Sequence, residues 1–221
     1  SPDGQLLAYV CFGHLDASRV GVTDLASGKD EQVEASKIVL PRILGWSPDS
    51  KDLYYMPAGG VNRWNRAKRR VSQVVKGFGV GNMGSISPKG DRLVVAGKLR
   101  RTAGGMEWWT QVVETASGKA KDVARVVDGR VTEAIWQPGG EWIAYVGEVE
   151  EGWRVEAVRS DGTGQRTLAR SRSSIHGLAW SPDGKRLACV VGGPLYREEH
   201  PHGYQPDGQV WLLRTPGPTL R

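Results

Sequence analysis

The sequence predicts an all-β chain assembled from repeated four-stranded antiparallel sheets, and three observations carry that prediction. A tight-turn motif of Ser, Pro, Asp and Gly recurs along the chain, each time followed by a short apolar run. Thirty glycines and 12 prolines among 221 residues supply the turns that such a chain requires. No run with a 3.6-residue apolar period is long enough to form a helix.

The clearest copy of the motif lies between Leu178 and Val190. An apolar strand ends at Trp180, Ser181 to Gly184 reverse the chain, and Leu187 opens a second apolar strand. Pro182 presets φ for the first central turn position, Asp183 can bond nearby backbone, and Gly184 accepts the left-handed conformation that a side chain resists. The other copies are Ser1, Pro2, Asp3, Gly4; Ser47, Pro48, Asp49, Ser50; Ser87, Pro88, Lys89, Gly90; and Gln137, Pro138, Gly139, Gly140. They start at residues 1, 47, 87, 137 and 181, so the spacings are 46, 40, 50 and 44. That is the length of one propeller blade, and the fold class that follows is a β-propeller. Trp46, Trp136 and Trp180, with Ile86 at the matching place, precede the turns and are expected to fill the gaps between blades.

With strands a to d named from the central channel outward, the chain reads as a single propeller domain over 1–221, with blades at about 1–41, 42–84, 85–130, 131–174 and 175–221. Blade one begins at strand b (5–10), then a loop (11–18), strand c (19–23), an Asp-Leu-Ala-Ser-Gly-Lys turn (24–29), strand d (31–35) and a linker (36–41). Blade two has strands at 42–46, 52–56, 61–65 and 70–75, then a glycine-rich crossing (76–84). In blade three, strand a ends at Ile86, strand b is 92–96, a longer loop spans 97–105, and strands c and d are 107–113 and 122–127. Blade four places its strands at 131–136, 141–147, 153–158 and 165–169; blade five has 175–180, 186–191 and 209–214, with the longest insertion at 192–208 and only 219–221 left to start strand d. Strands c alternate, as in Arg154 to Val158, whereas strands b are almost continuously apolar because blades cover both of their faces. Blade one lacks an innermost strand before Ser1, and joining 221 to 1 still leaves one strand short, so either five blades close imperfectly or with a borrowed strand, or the ring is larger. The expectation is therefore a larger ring, of six or more blades, or a missing strand or blade supplied by the same or another chain.

The pattern Trp-Ser-Pro-Asp-Gly-Lys-x-Leu-Ala at 180–188, with the Ser-Gly-Lys turns at 27–29 and 117–119, resembles the TolB-type WD-like β-propeller repeat family. Three motif copies keep Ser-Pro-Asp and four keep the glycine, so the resemblance is specific to the repeat and covers practically the whole chain. It implies a periplasmic or extracellular scaffold that binds a protein or peptide. The alternative it implies is the substrate-gating propeller of a prolyl-oligopeptidase-like serine peptidase. The sequence contains no Gly-x-Ser-x-Gly elbow, so in that case it would be only the noncatalytic gate. Fold alone carries no activity across.

Connections b–c and d–a share one rim of such a ring, and length variation concentrates there, which makes that rim the expected binding face. Its richest stretch holds Tyr196, Arg197, Glu198, His200, His202 and Tyr204, with His14 on the same rim as a further partner-binding candidate. His200 and His202 have no convincingly spaced third and fourth ligands, so no metal is expected there. No cofactor is expected either: the glycines at 77–84 lack the Gly-Lys-Ser/Thr ending and following helix of a phosphate loop. The net charge of +6 and the cluster Arg63, Arg66, Lys68, Arg69 and Arg70 read as a charged blade edge, and nucleic acid is not the expected partner. Asp3, Asp49, Asp161, Asp183 and Asp207 sit beside Pro or Gly and read as turn stabilisers, not acid–base groups. Cys11 and Cys189 are expected to pack as small apolar side chains instead of bridging. No apolar run reaches the roughly 20 residues needed to span a bilayer.

Overall fold

Eighteen strands and no helix make up the described residues of the computed structural model, which are 1–11, 18–38, 41–57, 59–77, 83–103, 105–192 and 208–215. They form five antiparallel meanders. The first sheet contains β1 (Leu6–Cys11), β2 (Ser18–Asp24) and β3 (Asp30–Ile38); the second contains β4 (Arg42–Trp46), β5 (Asp52–Met56), β6 (Gly60–Asn65) and β7 (Arg70–Lys76). The third holds β8 (Gly84–Ile86), β9 (Arg92–Thr102), β10 (Gly105–Glu114) and β11 (Ala120–Val127). β12 (Gly129–Trp136), β13 (Trp142–Val149), β14 (Gly152–Arg159) and β15 (Arg166–Ser171) make the fourth, and β16 (Ile175–Trp180), β17 (Arg186–Val191) and β18 (Gln209–Arg214) the fifth. The first and fifth sheets thus have three described strands and the others four.

Alternation along the b strands explains how the sheets stack. On β13, Ile143 and Tyr145 enter an apolar cluster with Val94, Ala96 and Val123 of the third sheet, while Ala144 and Val146 enter another with Leu187 and Cys189 of the fifth. Two more clusters fill the earlier gaps: Leu44, Tyr54 and Met56 against Leu93 and Val95, and Val20 and Val22 against Leu53, Tyr55 and Trp64. Four apolar seams therefore join five sheets in chain order, the arrangement of propeller blades.

Equivalent positions show which faces are covered. The residue five places after the motif proline is Leu53, Leu93, Ile143 or Leu187 in the second to fifth sheets, each 0% exposed, but Leu7 in the first is 54% exposed. On the other side, the cross-strand pairs Ala144–Ala157 and Val146–Val155 of the fourth sheet are fully buried by the fifth. Their counterparts in the fifth are Ala188–Leu212 and Val190–Val210, and there Leu212 and Val210 are each 68% exposed. Among the described residues, no sheet covers these two outward faces.

The structure corrects several sequence-derived boundaries. The loop expected at 97–105 is instead a long hairpin, with Thr102 paired to Gly105. A bidentate Arg100–Asp122 ion pair (2.7 and 2.9 Å) ties its first strand to β11, and the guanidinium groups of Arg100 and Arg125 lie 5.0 and 5.8 Å from the Trp109 ring centre. The loop expected at 148–152 shrinks to a two-residue turn because Val149 pairs with Gly152. β3 runs to Ile38, into the expected linker. Trp64, which follows Arg63 in the run read as a charged blade edge, is 3% exposed and packs edge-on against Trp46 with ring centres 6.1 Å apart. Both cysteines are free; Cys189 is buried and Cys11 half-buried.

Candidate binding rim

The two rims of the sheet array are built differently. On one, the a–b turns hydrogen-bond internally and interlock. Ser181 Oγ donates to Asp183 and accepts the Arg186 N–H (2.9 Å), the Lys185 N–H donates to Asp183 (3.0 Å), and the Gly184 N–H closes onto the Ser181 carbonyl (2.8 Å). The same bonds recur with Ser47, Asp49 and Asp52, and with Ser1, Asp3, Gln5 and Leu6. These bonds hold the Asp3 and Asp49 carboxyls down at about 2, through Ser1 and Gln5 in one case and Ser47 and Lys51 in the other. They also lower Asp183, through the Ser181 hydroxyl and the Lys185 N–H. In the Lys89 copy the aspartate is replaced, and Asp91, two residues on, takes the Ser87 hydroxyl instead (2.9 Å).

Successive turns touch. The Asp3 N–H donates to Ser50 Oγ (3.0 Å), Pro48 packs so closely on Gly90 that a Cβ there would lie 2.5 Å from it, and Gln137 Nε2 donates to the Gly184 carbonyl (2.7 Å). Pro88 lies next to Gly140, and Pro2, Pro138 and Pro182 hold the corresponding first turn positions. Of the motif tryptophans, Trp136 is buried, with the Arg92 guanidinium 4.9 Å from its ring centre, while Trp46 and Trp180 are half-buried against the first and last seams. The basic cluster is partly spent on a neighbouring sheet: Arg66 pairs with Asp3 (2.8 Å) and Arg69 with Glu31 (2.7 Å).

The opposite rim carries open cavities around the β13–β14 turn. On one side of that turn, Trp108, Asp128, Arg130, Glu148 and Glu150 line a cavity of about 360 Å³. Asp128 adopts φ +48, donates its N–H to the Met106 carbonyl (3.2 Å), and presses its carboxylate where a Gly105 Cβ would be. Arg130 and Glu148 face each other in the ladder and form an ion pair. On the other side, Glu151, Trp153, Arg154, Arg170 and Arg172 line a second cavity, of about 220 Å³. One hairpin thus separates a mainly acidic hollow with an aromatic wall from a mainly basic one. Sequence reading singled out this rim from its variable loops and named none of these residues. Arg170 and Arg172 lie in strand d and the d–a link, where no motif marks them, and only the blade geometry brings them to the β13–β14 turn.

Tyr196, Arg197, Glu198, His200, His202, Tyr204 and His14 lie outside the described residues, as does Asp207. Among the described residues, no group of three or more His, Cys, Asp or Glu side chains is placed to hold a metal ion. The buried acids have structural partners. Glu133 of β12 accepts the N–H groups of Gly177 and Leu178 in the next sheet (2.9 and 3.2 Å), and burial pushes its carboxyl up while those two donors pull it back. Glu156 receives Thr167 Oγ1 (3.3 Å) and lies beside Tyr145, whose phenol is raised by burial and by that carboxylate.

No family model matches the sequence. Over 128 residues the chain is 31% identical to the Tol-Pal system protein TolB of Thioalkalivibrio sulfidiphilus, a match covering 53% of this chain and 29% of that protein. The fold is similar to the crystal structure of TolB from Acinetobacter baumannii (TM-score 0.67, 17% identity, 86% of this chain and 47% of that one). It is also similar to oligogalacturonate lyase from Vibrio parahaemolyticus (TM-score 0.68, 14% identity, 97% of this chain and 60% of that one). The chain therefore spans less than a third of the curated relative and about half of the TolB structure.

Proposed function

We propose that this chain, a β-propeller similar in fold to TolB, is a noncatalytic scaffold whose b–c/d–a rim, centred on the β13–β14 turn, binds a protein or peptide. The observation that carries this reading is the pair of cavities flanking that turn, set on rigid strands, while the opposite rim is closed by its own interlocked turns. Pre-formed hollows on a stiff support suit recognition, because little ordering cost falls on the binding step. The buried acids Glu133 and Glu156 are committed to inter-strand and inter-sheet bonds, which supports a scaffold over acid–base chemistry. On sequence grounds alone, the candidates at 196–204 and His14 are kept as proposed partner contacts.

On the resemblance to TolB, we propose that this function is exercised in the periplasm or outside the cell. We further propose that another four-stranded sheet, from the same or another chain, covers the exposed Leu7 and the Val210–Leu212 face, extending the ring beyond these five blades. A photo-crosslinking residue introduced at Glu150 tests the rim in cells: it is expected to trap a protein partner, and the same probe at Asp183 is not. Trapping at 183 and none at 150 would reverse the assignment.

A further inference from the structure

The second cavity carries a feature that packing does not explain. Arg154 on β14 and Arg170 on β15 are directly opposite each other in the ladder. Like charges at directly opposed positions destabilise a sheet. Arg172, two residues further on, is a third arginine on the lining of the same hollow, and it is exposed, as is Arg170. Among the described residues, the only ion pair these three make is Arg154 with Glu151, and it is long (3.7 Å) to a carboxylate that is 81% exposed. Gly152 lets the end of β15 close onto the turn: its φ is +130, and a Cβ there would fall 2.4 Å from the Ser171 carbonyl oxygen, so the backbone at 171–172 is held against the hollow. Trp153 supplies an apolar wall at the cavity base.

We propose that this three-arginine hollow is an anion subsite that receives the carboxylate of an acidic side chain in a bound peptide, with Glu151 occupying the edge of the site until the ligand carboxylate replaces it. The planar guanidinium groups offer forked donors that match a carboxylate, and its charge offsets the Arg154–Arg170 repulsion. The volume, about 220 Å³, admits one side-chain carboxylate and its stem. This deepens the rim reading by naming the chemistry of one part of the partner.

The test uses the intact protein and a short peptide with two adjacent glutamates, its glutamine counterpart, and inorganic phosphate. Binding is followed by the NMR signals of the arginine side chains and the Gly152 amide. The glutamate peptide is expected to bind and the glutamine peptide not. Arg170→Gln and Arg172→Gln should each weaken binding about three- to tenfold, the range for a charge-assisted contact that stays partly wet. Glu151→Gln should tighten it about twofold, since an exposed competitor is removed. Lys185→Gln on the opposite rim, which removes the same charge elsewhere, should change nothing. Arg170→Gln should also leave the thermal midpoint equal or higher, a sign that a merely structural arginine would not give. Equal binding of the two peptides, equal loss with Lys185→Gln, phosphate binding without peptide binding, or a midpoint that falls with Arg170→Gln would each overturn the proposal. Crosslinking at residue 150 is independent of these titrations, so the rim can stand when this subsite falls, and the reverse.

Discussion

Glu133→Ala removes an inter-sheet staple, and its cost can be worked from the bonds it makes. The carboxylate is 6% exposed and accepts two backbone N–H groups, from Gly177 and Leu178, across the seam between the fourth and fifth sheets. Alanine leaves the buried Leu178 N–H without an acceptor, about 1–3 kcal/mol, while the Gly177 N–H of an exposed residue costs less, and removal of a buried charge offsets part of this; a net loss of about 1–3 kcal/mol follows. Glu133→Gln keeps one acceptor oxygen but turns an amide toward the other N–H, for a loss of about 1–2 kcal/mol. The two variants also differ in pH dependence. Burial raises the Glu133 carboxyl above its ordinary 4.5, so the folded state holds the proton more tightly than the unfolded one. The wild type therefore loses stability as pH rises from 4.5 through the raised value, whereas the glutamine variant has no such loss. Urea unfolding across that window, with amide exchange at Gly177 and Leu178, reads both effects. The deficit of Glu133→Gln should be largest in acid and shrink toward neutral pH. A deficit that grows with pH, or an alanine variant within about 0.5 kcal/mol of wild type, would refute the staple.

Three other outcomes follow from the same geometry. Leu53→Ala should cost about 2–5 kcal/mol by thermal or urea unfolding, and Leu7→Ala at the equivalent site under about 1 kcal/mol, because only the first is sealed between sheets. Gly28 and Gly118 occupy matching c–d turns at φ +67 and +70, but a Cβ at 28 meets nothing within 4 Å whereas one at 118 would lie 2.3 Å from the Val74 carbonyl. Alanine should therefore cost about 1 kcal/mol at 28 and clearly more at 118, and equal losses would show that the inter-sheet contact is absent. In acid, the stability that the Asp3 and Asp49 turns contribute is complete above the ordinary 3.8 and is lost as pH falls toward about 2. Asp49→Asn should flatten that part of the stability profile, and an unchanged slope would contradict the turn bonds.

Much of the fold was legible because the repeat fixes both the turns and the strands beside them. The proline of each motif copy predicts a leucine or isoleucine five residues later, and four of those five are sealed at 0% exposure. What sequence could not supply were contacts between blades. The hairpin at 97–105 read as a loop because its basic run looks solvated; its backbone ladder with β10 makes it a strand, and Asp122, 22 residues downstream, takes the charge of Arg100. Glu133 looked like one more polar residue in a strand, since its partners lie 44 and 45 residues away. Arg154 and Arg170 are equally silent in sequence: their opposition depends on a register that shifts between Val155 and Glu156, so counting from the turn does not give it.

Amide hydrogen exchange on the protein with and without its crosslink-identified partner tests the binding rim most directly. Slowed exchange at 128–130, 148–152 and 170–172, with the turn at 181–186 unchanged, is the predicted result. Protection confined to 181–186 and the other a–b turns would mean that the partner sits on the interlocked face, and the assignment of the rim would be wrong.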